Sequence, residues 1–101
     1  MSIEFFDRPP VPLSDEDIVG VIQQIKNAAD LILVRDEPLS LGINFACDAG
    51  SARHEQITIS MDSEKIYVAF HVGTGQQRDR VVRLVNAALE ANGVCCELVE
   101  D

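Results

Sequence analysis

Two periods divide the hydrophobic and polar positions of this chain. Ile18, Val21, Ile22, Ile25, Ala28, Ala29 and Ile32 recur at three- and four-residue spacing. That spacing predicts an amphipathic helix with one buried face. Ser14 suits the N-cap, with Asp17 three residues on, and Asp15, Glu16 and Asp17 complement the positive end of the helix dipole. Its far end has two readings. The helix runs to about Leu33, or it stops near Ala29 and leaves Leu31–Arg35 as a short strand; Asp36-Glu37-Pro38 ends either version.

Period two follows. Leu39, Leu41, Ile43, Phe45 and Cys47 alternate with Ser40, Gly42, Asn44, Ala46 and Asp48. Ile57, Ile59 and Met61 alternate with Gln56, Thr58 and Ser60, and Ile66, Val68, Phe70 and Val72 with Tyr67, Ala69 and His71. Such alternation predicts an antiparallel meander with one covered and one solvated face. The solvated face collects Ser40, Asn44, Gln56, Thr58, Ser60, Tyr67, Ala69 and His71, and is expected to be polar, weakly charged and open.

A second helix is marked by a capping box at Thr74 and Gln77, an apolar stripe from Val81 to Leu89, and a stop at Asn92-Gly93. Val94–Val99 reads as a last strand, reached by a helix long enough for a right-handed crossover to a parallel neighbour. Residues 1–13 are expected to be an extended arm ahead of a single domain over 14–101. Ile3, Phe5 and Phe6 either pack on the domain or add a strand to a sheet edge. The predicted fold is α+β, a two-layer sandwich of order α-β-β-β-α-β with an optional N-terminal strand. Its sheet is mainly antiparallel, with both helices on one face.

At 101 residues, 47% hydrophobic and 25% charged, the chain supports one core without metal or disulfide staples. The 17 acidic and 8 basic residues give a net charge of −9, spread over both halves of the chain. That field repels phosphate backbones and anionic lipid heads and attracts basic proteins. Nucleic acid and membrane are therefore not expected as partners. The N-terminal segment shows no basic and apolar export signal, and Leu31–Val34 is the longest apolar run. Three cysteines, two of them adjacent, fit a reduced cytoplasmic protein better than a disulfide framework.

Candidate chemistry is thin. Gly73-Thr74-Gly75 before a helix, with Arg78 nearby, offers an anion site at Thr74, Gly75 and Arg78, but neither a third glycine nor a Gly-Lys-Ser/Thr follows. Cys95 and Cys96, adjacent on a strand, point to opposite faces and do not suit one tetrahedral zinc. Cys95 with His71 lacks an orienting third group, and His54 reads as surface. No metal, cofactor or catalytic residue is expected.

The α-β-β-β-α order resembles that of double-stranded-RNA-binding domains, but Gly75-Gln76-Gln77-Arg78-Asp79-Arg80 stands where that family is lysine-rich. It also resembles the start of small acidic type III secretion chaperones, which continue into a further strand and a third helix. Neither resemblance rests on a motif, so function is read from the residues.

The expected function is a non-enzymatic acidic protein-binding module, of the kind used as bacterial immunity proteins or antitoxins that block a basic toxin or nuclease. Tyr67 and His71 are the expected contacts, with Asp48, Glu55, Asp62 and Glu64 around them. Two alternatives stand beside it: a secretion or assembly chaperone acting as a homodimer, and a small-ligand protein using the Gly73-Thr74-Gly75 helix start.

Overall fold

Ser14 caps the first helix as its position requires. Its hydroxyl accepts the Asp17 N–H at 3.1 Å, while the Asp17 carboxylate accepts the Ser14 N–H at 3.2 Å. The computed structural model describes residues 3–46, 55–94 and 97–100. Their elements are β1 (Ile3–Asp7), α1 (Asp15–Lys26), β2 (Leu31–Glu37), β3 (Ser40–Phe45), β4 (Ile57–Met61), β5 (Ile66–Phe70), α2 (Gly75–Ala91) and β6 (Val99–Glu100). The fold is α+β: a six-stranded sheet in the order β2-β3-β4-β5-β1-β6, every adjacent pair antiparallel, with two helices.

Between the two readings of the first helix, the strand wins. α1 ends at Lys26 with Asn27 as its C-cap, and Leu31–Glu37 pairs with β3 around Pro38-Leu39. A helix through Leu33 would forgo that hairpin, in which Leu31 and Leu33 stand opposite Phe45 and Ile43 on the covered face. The register then slips between Leu33 and Arg35, leaving Val34 as a bulge. Strict alternation would send Arg35 to the side of Leu31 and Leu33. The bulge turns it onto the other face, opposite Gly42.

The N-terminal arm takes its strand alternative. β1 lies inside the sheet, between β5 and β6, and Phe5 meets Phe70 edge-to-face with centroids 5.7 Å apart. This placement corrects the expected crossover. β6 runs parallel to β5 but is not its neighbour, because β1 is inserted between them. The last strand is also shorter than expected, although Val94 and Leu98 ahead of it are buried.

One core joins the layers. Ile18, Val21, Ile22 and Ile25 of α1 and Val81, Val85, Ala88 and Leu89 of α2 pack with the inward residues of β3, β4 and β5. The helices approach closely at Gly20, where a Cβ would stand 2.1 Å from Asn92 Oδ1. Among the described residues, no helix is long and apolar enough to cross a membrane.

Candidate functional site

The face turned away from the helices is crossed by two rows of side chains. One runs Glu37, Ser40, Ser60, Tyr67, Phe6; the other runs Arg35, Gly42, Thr58, Ala69, Glu4. The face is polar, as its alternation predicts, but it carries more charge than expected because β1 and β2 bring Glu4, Arg35 and Glu37 onto it.

A continuous hydrogen-bonded chain occupies the second row. Arg35 clamps Glu55 in two bonds, Nε to Oε1 at 2.8 Å and Nη2 to Oε2 at 2.9 Å. Its Nη1 donates to Ser40 Oγ at 3.0 Å and lies 3.2 Å from Glu37 Oε1. Thr58 Oγ1 donates to Glu55 Oε2 at 2.6 Å, which uses its single hydroxyl proton. His71 Nε2, 2.9 Å from Thr58 Oγ1, is therefore the donor in the next link. The guanidinium and the Thr58 hydroxyl outweigh partial burial and lower the Glu55 carboxyl to about 2. The same pairing holds the Arg35 guanidinium above its ordinary value.

Gly42 makes the crossing possible. A Cβ there would lie 2.8 Å from Glu55 Oε1 and 3.0 Å from Arg35 Cβ. At the far end of β3 and β4, Asn44 Oδ1 accepts the Gln56 N–H and Gln56 Oε1 accepts the Phe45 N–H, both at 2.8 Å. These bonds explain how two amide side chains are buried on a nominally solvated face.

The expected contact residues are thus scattered over different tasks. Tyr67 donates its hydroxyl to Glu4, and His71 donates to Thr58. Glu55 is spent on Arg35. Asp62 holds the β4–β5 turn, its Oδ1 accepting from Glu64 N–H at 2.8 Å and Lys65 N–H at 2.9 Å, which lowers its carboxyl pKa. Glu64 is exposed beside it. Asp48, with Cys47, His54, Cys95 and Cys96, lies outside the described residues.

Thr74, Gly75 and Arg78 do come together at the start of α2, where Thr74 is engaged in the cap and Arg78 in a bond to the preceding turn. Thr74 Oγ1 accepts the Gln77 N–H at 3.2 Å, Gln77 Oε1 accepts the Thr74 N–H at 2.8 Å, and Arg78 Nη1 donates to Gly73 O at 3.2 Å. Gly73, at φ 133°, is the glycine this turn requires. Beside it, Asp30, Phe45, Ala46, Thr74, Gln76, Gln77 and Arg80 line a shallow hollow of about 540 Å³. Arg80 closes one wall by bonding both Asp30 oxygens at 3.1 Å. No group of three or more His, Cys, Asp or Glu side chains among the described residues is arranged to hold a metal ion.

Arg35, Gly42 and the β2 edge escaped the sequence reading. Ile32, Leu33 and Val34 are 39%, 37% and 49% exposed in a terminal strand of the sheet. The signal available was Leu31–Val34 itself, the longest apolar run of the chain.

No family model matches the chain, and no curated protein or solved structure is significantly similar to it.

Proposed function

We propose that the chain is a non-enzymatic protein-binding module that captures and blocks a basic partner, in the manner of bacterial immunity proteins and antitoxins. The observation that carries this reading is where the charge lies. Lys26 pairs with Asp36 at 2.9 Å, Arg35 with Glu37 and Glu55, and Arg80 with Asp30, so these cations are consumed within the molecule. Part of the acidic surplus stands apart from these pairs. Leu13 N–H donates to Ser63 O at 2.8 Å, which holds the start of α1 against the β4–β5 turn. Asp15, Glu16 and Asp17 thereby share one end of the sandwich with Asp62 and Glu64, where Lys65 and Arg8 act on the Asp62 carboxylate.

A surface of net charge −9 accelerates encounter with a cationic surface and rejects anionic competitors. On the sheet face the Glu55 carboxylate is held by Arg35 and Thr58, which keep it ionised at neutral pH. The test is affinity capture from native host lysate on the immobilised chain at low salt. The expected result is a basic protein released by raising the salt. Retention of no protein, or of proteins without a basic bias, contradicts the reading.

A further inference from the structure

Building on that acidic-module reading, we infer that the partner docks by adding an extended strand to the free edge of β2, and that the incoming segment alternates apolar and basic side chains. β2 is seven residues long and, among the described residues, pairs on one side only, with β3. The opposite terminal strand, β6, has two residues. A long terminal strand presents unpaired N–H and C=O groups to any extended chain, and folded proteins commonly guard such edges with charges or proline.

The first half of β2 carries no such guard. Leu31, Ile32, Leu33 and Val34 are consecutive and apolar, and the last three are more than a third exposed. Arg35, the nearest cation along the strand, is folded across the sheet face onto Glu55. The bulge at Val34 breaks the register once and leaves Leu31, Ile32 and Leu33 regularly paired to β3.

Charge selects the occupant. Asp36 and Glu37 at the end of β2 are already paired with Lys26 and Arg35, so a docking strand with lysine or arginine is drawn by the chain's net charge of −9. A second copy would bring two strongly acidic bodies together. The Tyr67–His71 face is the weaker candidate, because both side chains already serve Glu4 and Thr58. Main-chain bonds supply affinity in strand addition, and pockets for alternate side chains supply specificity.

The probe is a short peptide alternating valine and lysine, titrated into the isotope-labelled chain and followed by amide NMR. The inference expects shifts and slowed amide exchange centred on Ile32, Leu33 and Val34. N-methylation of the peptide's pairing amides should weaken binding by roughly tenfold or more through lost main-chain bonds. Val34→Lys, at an exposed position, should weaken it similarly while leaving the remaining spectrum intact. Equal binding of the N-methylated peptide, or shifts centred on Tyr67 and His71, would overturn strand addition. So would sedimentation as a dimer that Val34→Lys dissociates, which identifies a second copy as the occupant. The two levels separate in lysate capture. Equal retention of a basic protein by wild type and Val34→Lys removes the edge and keeps the acidic module, whereas no retention by wild type removes the module.

Discussion

The carboxylate of Glu55 closes on the guanidinium of Arg35 directly over Gly42, with both bonds under 3 Å and no room for a Cβ beneath them. Three separate features converge on this pair. The Val34 bulge turns Arg35 outward, the β3–β4 register sets Gly42 opposite Thr58, and Thr58 holds the second carboxylate oxygen.

The pair makes stability depend on pH in a stated direction. The Glu55 carboxyl titrates at about 2 in the folded chain against an ordinary 4.5. Its contribution is therefore complete above the unfolded value and is lost as pH falls from about 4.5 towards 2. Partial exposure of both groups limits it to about 1 kcal/mol. Denaturant unfolding of wild type and Glu55→Gln should differ by that amount at neutral pH, by less as pH falls below about 4.5, and converge at about pH 2. A gap that does not change with pH contradicts the assignment.

Gly42→Ala tests the crossing itself. The added methyl meets Glu55 Oε1 at 2.8 Å, so the carboxylate must move off Arg35. The expected cost is about 1–2 kcal/mol, with the Glu55 pKa rising back towards 4.5 in a carbon-detected NMR titration. Unchanged stability together with an unchanged pKa contradicts the geometry.

α2 and the β3–β5 meander were legible in the sequence because each has a single clear period and strong end signals. Thr74 with Gln77, and Asp62 with Lys65, are local devices that act within three residues. β2 was not so legible. Ile32 continues the helical spacing of Ile25, Ala28 and Ala29, and only the hairpin with β3 decides for a strand. The Arg35–Glu55 pair was illegible for a further reason. It needs the Val34 bulge, and local sequence does not encode a one-residue slip between two paired strands. β1 lies inside the sheet because its register pairs Phe5 with Val68, a contact between residues far apart in sequence.

Gly20 is an interior helix residue, where alanine ordinarily stabilises by up to about 1 kcal/mol. Here the methyl would strike Asn92 Oδ1 at 2.1 Å, and Asn92 Nδ2 is itself donating to Ala88 O at 2.8 Å. Gly20→Ala should therefore destabilise by about 1–2 kcal/mol. With Asn92→Ala added, the same substitution should become neutral or stabilising. Thermal melts of the two single variants and the double variant check the coupling.

Thr74→Ala should cost about 1 kcal/mol, measured by chemical denaturation, because the hydroxyl caps Gln77 N–H. Phosphate should leave the melting temperature of wild type unchanged, since Thr74, Gln77 and Arg78 bond one another and Gly73. A phosphate-dependent rise would favour a ligand site at this helix start instead.

The central claim is that acidic surplus draws a basic polypeptide to this chain, and association kinetics test it most directly. With the protein captured from native lysate as the analyte, the association rate should fall by on the order of tenfold or more from low to high salt. An association rate that does not change with salt would contradict the account.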